Sequence, residues 1–267
     1  MKTLVAIPAR FKSTRFPGKI LAQIQGRPMI EWVVRGVQKS ADAKDIVVMT
    51  DDQRIFDVVQ KIPGGHDQVS AVMTSENCPT GTDRIFAGLG VLEKQGRTFD
   101  YVVNVQGDEP LISNLHLDPI FKKINSEKNL QMLTLGTRIT RSEIQNPNCV
   151  KVVTDLNNKA IYFSRFPIPF SRDKEDVVGF DAQDRLKDTS VLKHIGLYGY
   201  SVAFLKTFCA TKMSLLEKSE SLEQLRALSL GAAIHVLETD QISIGIDTPE
   251  DLINIENRIK SGEIKIS

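Results

Sequence analysis

Leu4-Val-Ala-Ile-Pro-Ala-Arg-Phe-Lys-Ser-Thr-Arg-Phe-Pro-Gly-Lys19 joins a short apolar run to a strongly basic loop. The run Leu4–Ile7 is typical of a buried strand. The loop carries four cations, Arg10, Lys12, Arg15 and Lys19, although the formal net charge of the whole chain is only +1. Such a loop at the carboxyl end of a strand favours polyphosphate binding, because guanidinium and ammonium groups bind several phosphate oxygens at once. An ordinary charged surface loop is the alternative.

The first half of the chain alternates strand-like and helical patterns at a regular spacing. Further strands are predicted at Ile46–Thr50, Val69–Met73 and Tyr101–Val105. The helical patterns between them start at Pro28, after Asp51 or Asp52, and after Thr80 or Thr82, all of which suit the first residues of helices. Strand, helix and strand at this rhythm predict parallel βαβ units with right-handed crossovers.

The second half is less regular. Strands are predicted at Met132–Arg138, Val150–Thr154, Ala160–Phe163, Ile195–Ser201 and Ile234–Leu237. Helices are predicted at Phe204–Ala210, at Glu220–Leu230 and from Thr248 onward, and the polar segment 167–190 is predicted to be a mobile loop. We expect one domain over residues 1–267, with a nucleotide-binding half at 1–130 and a second half at 131–267.

The composition excludes several classes of protein. With 267 residues, 41% hydrophobic and 25% charged, the chain is a normal globular one, and its near-neutral charge gives no reason to expect a nucleic acid or membrane partner. The three cysteines are far apart and read as reduced thiols in a reducing compartment. No glycine precedes Gly18-Lys19 at the P-loop spacing, and Gly88-Leu-Gly90 lacks the third glycine of a dinucleotide fingerprint.

Two further predicted strand-end loops each carry an acid. Asn104-Val-Gln-Gly-Asp-Glu-Pro110 places Asp108 at the edge of the sheet where the basic loop lies, and ligands bind at this edge in open parallel sheets. A carboxylate beside a polyphosphate suggests Mg²⁺, which is held by few carboxylates together with phosphate oxygens. Asp247 precedes a helix capped by Thr248 and is a candidate for a second ligand. For both acids, an ordinary turn residue is the alternative.

Two polar stretches are candidates for binding a hydroxylated ligand. On a regular strand, His194, Gly196 and Tyr198 share one face. Glu223 and Gln224 lie among the leucines of the predicted helix Glu220–Leu230, where a residue near the core needs a polar partner. An ordinary half-buried strand and a solvated helix surface are the respective alternatives.

Seven motifs in one order resemble a known family. They span nearly the whole chain: Ile7-Pro-Ala-Arg-Phe-Lys-Ser-Thr-Arg-Phe-Pro-Gly-Lys19, Thr80-Gly-Thr-Asp-Arg84, Asn104-Val-Gln-Gly-Asp-Glu-Pro110, Tyr162-Phe-Ser-Arg165, His194-Ile-Gly-Leu-Tyr-Gly-Tyr200, Glu220-Ser-Leu-Glu-Gln-Leu-Arg226 and Asp247-Thr-Pro-Glu-Asp-Leu252. Together they are similar to those of the 3-deoxy-manno-octulosonate (Kdo) cytidylyltransferases of Gram-negative bacteria. The resemblance implies the nucleotide-diphospho-sugar transferase fold, a three-layer α/β/α sandwich with a mainly parallel sheet. It also implies a cytoplasmic, Mg²⁺-dependent homodimer that transfers CMP from CTP to Kdo and releases pyrophosphate, for lipopolysaccharide assembly. The second half would then bind the sugar and form the dimer.

The same resemblance implies roles for individual residues. The CTP-binding set comprises Ala9, Arg10, Ser13, Arg15, Lys19, Thr80, Gly81 and Arg84. Within it the loop residues hold the triphosphate, and Ala9 and the Thr80-Gly81 turn meet the cytosine edge. Asp108 and Asp247 bind Mg²⁺, and with Arg10 and Lys19 they form the catalytic set. The sugar-binding set comprises Gln106, Arg165, His194, Tyr198, Glu223 and Gln224, in which Arg165 faces the Kdo carboxylate.

The chain departs from the family pattern at a few positions. Thr80 stands where the family usually has serine, Phe11 where it has tyrosine, and Lys12 where a small residue is common. Phe16 replaces a frequent leucine, and related enzymes for the 8-amino analogue of Kdo also carry Phe-Pro-Gly-Lys. The resemblance therefore leaves 8-amino-3,8-dideoxy-manno-octulosonate or another acidic sugar as an alternative substrate.

Three other functions fit the motifs less well. A cytidylyltransferase for a sialic acid would share the first strand and loop but not the stretches around His194 and Gln224. A glycosyltransferase on a similar sheet would need an Asp-x-Asp motif after a strand, which Asp51-Asp52 does not supply. An inactive homologue is disfavoured because both acids and all the loop cations are present.

Overall fold

The computed structural model describes residues 1–64, 68–170, 179–187, 190–264 and 266. The chain divides into two compact units: unit 1 is Met1–Ser126 with Ile242–Ser267, and unit 2 is Glu127–Gln241. This division differs from the expected halves 1–130 and 131–267, because the last 26 residues group with the N-terminal part. The predicted loop at 167–190 lies partly outside the described residues. Among the described residues, no helix is both long and apolar enough to cross a membrane.

Unit 1 has the alternating elements that the sequence predicts. In chain order they are β1 (Thr3–Ala9), a 3-10 turn (Lys19–Leu21), β2 (Gln23–Ile24), β3 (Arg27–Pro28), α1 (Met29–Gln38), β4 (Asp45–Thr50), α2 (Gln53–Gln60), β5 (Val69–Met73), α3 (Gly81–Lys94), β6 (Tyr101–Asn104), α4 (Asn114–Ser126) and, at the C-terminal end, α9 (Pro249–Lys260). Strands β6, β1, β4 and β5 lie side by side and are all parallel. Their carboxyl ends therefore meet at one edge, which confirms the predicted βαβ arrangement.

Local sequence fixes where the helices of unit 1 begin. The side chain of Asp52, not Asp51, caps α2 by accepting a hydrogen bond from the Arg54 amide. Thr80 caps α3 in the same way. Thr248 and Asp251 form a reciprocal capping box at α9, with proline in its first turn. Each cap satisfies amide donors that the first turn of a helix leaves without a partner.

An apolar cluster holds the C-terminal segment within unit 1. Its buried residues come from both ends of the chain and comprise Ile24, Met29, Trp32, Ile246 and Ile255. Trp32 also donates from its indole nitrogen to the Ile24 carbonyl. Because Ile246 is fully buried in this cluster, the residue that follows it is carried to the carboxyl edge of the sheet in unit 1.

Most strand pairs in unit 2 are antiparallel, whereas the neighbouring strands β6, β1, β4 and β5 of unit 1 are parallel. Its elements are β7 (Met132–Arg138), α5 (Arg141–Gln145), β8 (Lys151–Thr154), β9 (Ala160–Ser164), β10 (Val191–Ser201), α6 (Val202–Ala210), α7 (Leu215–Glu220), α8 (Gln224–Ser229) and β11 (Ile234–Glu238). Strand β10 pairs antiparallel with β7 and with β8, β8 pairs antiparallel with β9, and β11 pairs parallel with β7.

The single helix predicted at Glu220–Leu230 is wrong. Helix α7 ends at Glu220, and Ser221 takes a left-handed conformation with φ of 52° before α8 starts at Gln224. The run of leucines suggested one continuous face, but a residue in this conformation ends a helix. The break places Glu223 and Gln224 at the start of a short helix.

Candidate active site

A cavity of about 200 Å³ lies in unit 1 at the carboxyl edge of the parallel strands. Its wall is formed by the ends of strands and the starts of helices, and comprises Pro8, Arg10, Lys19, Ile20, Cys78, Pro79, Thr80, Gly81, Arg84, Gln106, Asp108 and Asp247. The structure therefore brings together eight of the predicted site residues. Three more predicted residues, Ala9, Ser13 and Arg15, belong to the same N-terminal segment but not to the cavity wall.

Two carboxylates distant in sequence meet at one ammonium group. Lys19 Nζ donates to Asp108 Oδ2 at 2.5 Å, to Asp247 Oδ1 at 2.8 Å and to the Ile246 carbonyl at 3.1 Å. The Ile246 amide also donates to the Asp108 carbonyl at 3.0 Å, so the two acidic segments are joined through their backbones. Arg15 Nη2 binds the second oxygen of Asp247 at 2.9 Å. The acids predicted to share one site therefore do lie together.

This cluster shifts the ionisation of Lys19 and Asp247 toward their charged forms. Burial is the largest influence on Lys19 and alone would lower its pKa, but Asp108 and Asp247 outweigh it and the pKa is raised. Burial likewise opposes ionisation of Asp247, and its ion pairs with Lys19 and Arg15 outweigh burial and lower its pKa. Opposite charges at hydrogen-bond distance favour the ionised forms of both partners. Lys19 and Asp247 are therefore both charged at neutral pH.

Glu109, next in sequence to Asp108, has the opposite behaviour. Burial, opposed by a hydrogen bond from Ser243 and assisted by the nearby Asp108 charge, raises the pKa of Glu109 to about 7. The Ser243 hydroxyl donates to Glu109 Oε2 at 2.6 Å. This contact ties the loop after β6 to the segment that carries Asp247. No sequence pattern indicated this contact, since Glu109 lies in a predicted strand-end loop and Ser243 is 134 residues away.

The basic loop is closed on itself at its ends. The Gly18 amide donates to the Phe11 carbonyl at 3.0 Å, and Gly18 has φ of 72°, which favours glycine. A Cβ at Gly18 would lie 3.0 Å from the Phe11 ring. The Arg54 guanidinium carbon lies 3.6 Å from the centroid of the same ring. The loop therefore has a defined shape, in which Arg10 is exposed and has no ion pair with any residue that the structure describes.

The start of α3 forms the opposite wall of the cavity. The Thr80 hydroxyl accepts from the Asp83 amide at 3.1 Å and donates to the Asp83 carboxylate at 2.9 Å. Gly81 follows, and a Cβ there would lie 3.2 Å from Pro8 at the end of β1. Glycine thus permits a close approach of the helix to the strand, and the positive end of the helix faces the cavity.

Arg84 lines the cavity, but its guanidinium is already bound. It is 2% exposed and donates to Asp51 Oδ2 and to the Thr74 hydroxyl, each at 2.7 Å. The structure places it in the cavity wall, and its place near the cytosine edge stays a prediction. Its charge, however, is balanced by Asp51, a residue that the sequence offered only as a helix cap. An Asp-Asp pair after a strand was the one signal that could have pointed to a second role.

In unit 2, His194 and Tyr198 lie closer together than a regular strand allows. Residues four apart in a strand are about 13 Å apart, whereas these ring centroids are separated by 5.3 Å. A bulge between Ile195 and Tyr198 causes this, since His194 is opposite Gly136 and Tyr198 is opposite Thr134. The expected regular alternation over this stretch is therefore wrong in detail, although both side chains do share a face.

His194 is held as a neutral ring. Burial lowers its pKa to about 3. Its Nε2 lies 3.0 Å from the Thr134 hydroxyl, which is also close to the Ile195 and Leu197 carbonyls at 3.0 and 2.9 Å. Because the hydroxyl has one proton and gives it to a carbonyl, it accepts from His194. The ring therefore carries its proton on Nε2 and leaves Nδ1 as an acceptor.

Arg165 follows β9 and is held by backbone carbonyls. Its guanidinium donates to the carbonyls of Glu220, Pro147 and Ser221 at 2.8, 3.1 and 3.5 Å. The Arg165 amide and the Ser164 hydroxyl both bind the Glu220 carboxylate. These contacts orient the side chain and use three of the five guanidinium donors.

The two polar residues of α8 differ in environment. Glu223 is partly exposed, and its carboxylate lies 3.7 Å from Arg226. Gln224 is only 4% exposed, and its amide nitrogen has no hydrogen-bond partner within the described part of the chain. A buried amide without a partner costs about 1 to 3 kcal/mol, so Gln224 is the polar side chain in unit 2 best suited to receive a ligand oxygen. The expectation of a solvated helix surface does not apply to it.

Comparison with known proteins gives consistent results. The model of the cytidylyltransferase family matches residues 4–235. A 3-deoxy-manno-octulosonate cytidylyltransferase of Bdellovibrio bacteriovorus is 43% identical over 261 residues, covering 98% of this chain and 99% of its own. One of Thermodesulfovibrio yellowstonii is 45% identical over 256 residues, covering 94% of this chain and 96% of its own.

A solved structure is similar over the same length. The structure of a CMP:2-keto-3-deoxy-manno-octonic acid synthetase complexed with CTP has a TM-score of 0.84 and 34% identity. The similarity covers 99% of this chain and 100% of that chain. It confirms the predicted fold class, a three-layer α/β/α arrangement with a mixed, mostly parallel sheet of the nucleotide-diphospho-sugar transferase type.

Proposed function

The chain belongs to the cytidylyltransferase family, and from this membership we propose that it transfers CMP from CTP to 3-deoxy-manno-octulosonate. The products are CMP-Kdo and pyrophosphate, and the reaction activates Kdo for lipopolysaccharide assembly. The relatives that bear the name of this enzyme match over nearly their whole length. The observation that carries the proposal is the convergence of Lys19, Asp108 and Asp247 at the wall of a cavity between the basic loop and the start of α3.

In this proposal the basic loop binds the triphosphate of CTP. Arg10 and Lys19 line the cavity, and Arg15 is tied to it through Asp247. Cations fixed in position before the reaction stabilise the charge that develops on the leaving pyrophosphate. The Ser13 hydroxyl can add one phosphate hydrogen bond. Because transfer to a sugar hydroxyl needs no side-chain nucleophile, positioning and charge stabilisation are the main tasks of the protein.

The cytosine base and ribose of CTP fit the cavity wall formed by the start of α3, opposite the basic loop. Gly81 packs so closely on Pro8 that backbone groups, not side chains, are presented to a ligand there. A small pyrimidine needs such an approach, and amides at the start of α3 are suitable donors. Ala9 ends β1 beside this wall but is fully buried and does not line the cavity, so its contact with the base rests on the family resemblance.

We also propose that Asp108 and Asp247 hold Mg²⁺. Both carboxylates bind one cationic atom, Lys19 Nζ, so they already point to a common position. The described residues contain no group of three or more His, Cys, Asp and Glu able to hold a metal ion. Two hard oxygen donors fit Mg²⁺, which takes its other ligands from phosphate and water. When bound, the ion would polarise the phosphate and lower the pKa of the attacking hydroxyl.

Sugar recognition is proposed for the polar residues of unit 2, and Gln106 of unit 1 keeps the sugar-binding role that the resemblance implies. Arg165 retains free donor capacity for the Kdo carboxylate, the neutral His194 offers an acceptor, and Gln224 has an amide without a partner. Gln106, in unit 1, donates to Asn104 at 3.1 Å and lines the cavity. Tyr198 and Glu223 complete the proposed set.

Phe16 gives no support for the 8-amino analogue. Its side chain packs against the apolar cluster around Ile24, Trp32 and Ile246. That contact accounts for an aromatic residue at this position by packing alone. The substrate we propose is therefore Kdo, and the analogue is a comparison in the assay.

We further propose a cytoplasmic homodimer. None of the three cysteines forms a disulfide, as expected for a reducing compartment. Unit 2 exposes large apolar side chains that a partner could cover, among them Ile161, Phe166, Phe170 and Leu215, which are 59, 74, 87 and 81% exposed. Light scattering coupled to gel filtration tests this, because a mass near that of one chain would contradict it.

The function is tested by pyrophosphate release. Purified protein is incubated with CTP, Mg²⁺ and either Kdo, its 8-amino analogue or a sialic acid. We expect release with Kdo that depends on both substrates, and a smaller kcat/KM with the other two sugars. A higher kcat/KM with the analogue would transfer the assignment to that sugar, and no release with any sugar from a folded sample would remove it.

A further inference from the structure

Asp51 is a buried acid that the proposed reaction does not use. It follows directly after β4, and its side chain is 8% exposed. One oxygen accepts from Arg84 Nη2 at 2.7 Å, and the other accepts from the Phe11 amide at 3.2 Å. The neighbouring Asp52 caps α2, so helix capping does not explain Asp51.

These contacts join the two walls of the CTP cavity. Phe11 begins the basic loop, next to Arg10 in the cavity wall. Arg84 lies in the first turns of α3, just after Gly81, and also lines the cavity. The Asp51 carboxylate thus binds a backbone group of one wall and a side chain of the other.

The same network reaches the next strand. Arg84 Nη1 donates to the Thr74 hydroxyl at 2.7 Å and to the Ser75 carbonyl at 3.3 Å. Thr74 and Ser75 follow β5, so the guanidinium links the ends of β4 and β5 to α3. A planar guanidinium imposes the directions of its hydrogen bonds, and this makes it suited to fixing distances between elements.

We propose that Asp51 is a positioning residue that holds the basic loop and the start of α3 at the separation CTP requires. The proposal rests on the proposed function, since it assigns this cavity to CTP. Asp51 itself touches no substrate. Its loss would leave Arg84 buried without a counter-charge and free the Phe11 amide, so both walls would lose their common anchor.

A second aspartate on the same strand is a matched control. Asp45 begins β4 and accepts from Arg97 Nη2 at 3.4 Å, while Arg97 follows α3. This pair also joins β4 to the segment that follows α3, but it lies at the amino end of the strand, away from the cavity. A merely structural role for Asp51 would give both aspartates similar effects on substrate constants.

The experiment compares Asp51→Asn with Asp45→Asn in the full-length protein. Steady-state pyrophosphate release gives KM for CTP and for Kdo, and calorimetry gives the CTP dissociation constant of each folded variant. We expect Asp51→Asn to raise KM and Kd for CTP by about 10- to 100-fold, which corresponds to roughly 1.4 to 2.7 kcal/mol, and to change KM for Kdo less than twofold. Asp45→Asn should leave both constants near wild type. Equal CTP constants in the two variants would overturn the proposal.

A milder variant covers the case in which Asp51→Asn does not fold. Thr74→Val keeps the shape of the side chain and removes one partner of Arg84. We expect it to raise KM for CTP about three- to tenfold with KM for Kdo unchanged, and an unchanged KM for CTP would overturn the proposal. Wild-type protein that releases no pyrophosphate would instead defeat the proposed function, so the two failures are distinguishable.

Discussion

Replacement of Asp108 by asparagine tests the acidic pair most sharply. The side chain keeps its size but loses the negative charge that lies 2.5 Å from Lys19 Nζ. Lys19 retains Asp247 at 2.8 Å, and only 26% of the Asp108 side chain is exposed. We therefore expect the variant to fold and to lose charge stabilisation in the cavity, not its architecture.

The size of the effect follows from the electrostatics of the site. Two unit charges about 4 Å apart interact by about 4 kcal/mol at an effective dielectric constant of 20. The asparagine oxygen and solvent replace part of this, so we expect a loss of about 2 to 4 kcal/mol in the transition state, or roughly 30- to 1,000-fold in turnover. CTP binding should change less than about fivefold, because the loop cations remain.

The assay measures pyrophosphate release and CTP affinity in parallel. Asp45→Asn, at the far end of β4, is the control and should keep wild-type turnover. Added Mn²⁺ should raise the activity of Asp108→Asn more than that of wild type, because a weakened site responds to metal supply. Turnover of Asp108→Asn within twofold of wild type would refute the metal role of this residue.

Three further predictions concern the cavity wall, the half-buried His194 and the buried ion pair of unit 2. Gly81→Ala should raise KM for CTP about tenfold, because the added methyl group presses on Pro8 of the adjoining strand. The control is Gly90→Ala in the same helix, which has open space around it and should stabilise the fold by about 1 kcal/mol without changing KM. Equal KM values in the two variants would contradict this. Burial lowers the pKa of His194 to about 3, so the unfolded chain binds more protons than the folded chain between pH 3 and 6.5. The contribution of neutral His194 to the free energy of unfolding is therefore complete above pH 6.5. It is lost as the pH falls, by up to about 1.4 kcal/mol per pH unit. Thermal melts from pH 7 to 5 should thus show a smaller loss for His194→Gln than for wild type, and parallel curves would be evidence against it. Arg226→Met removes the guanidinium that lies 2.8 Å from Glu217, whose exposure is only 4%. It should lower the free energy of unfolding, measured with urea, by about 3 to 5 kcal/mol. Adding Glu217→Gln to this variant should recover much of that loss, and no recovery would show that lost packing is the cause.

The regular first half could be read closely from the sequence because local signals decide it. Apolar runs followed by capping residues predicted β1, β4, β5 and the helices between them, and Thr80 and Thr248 cap the helices as predicted. Local patterns fail where a single backbone conformation intervenes. Ser221 ends a helix that the leucine spacing continues, and the bulge after Ile195 alters a regular strand.

The sequence indicated individual residues of the candidate site, but it did not indicate the contacts that join them. The sequence indicated Asp108 and Asp247 separately, and the apolar cluster around Ile246 is what brings them together. The partner of Arg84 could not be predicted, because Asp51 and Arg84 are 33 residues apart and the pattern around Asp51 also suits a helix cap. Long-range contacts of this kind depend on how strand ends converge, and a local pattern does not record that.

The most direct measurement is pyrophosphate release by the wild-type protein with CTP, Kdo and Mg²⁺. The account predicts release only when all three are present, and its loss on addition of a chelator. A folded sample that binds CTP but releases no pyrophosphate with Kdo would contradict it.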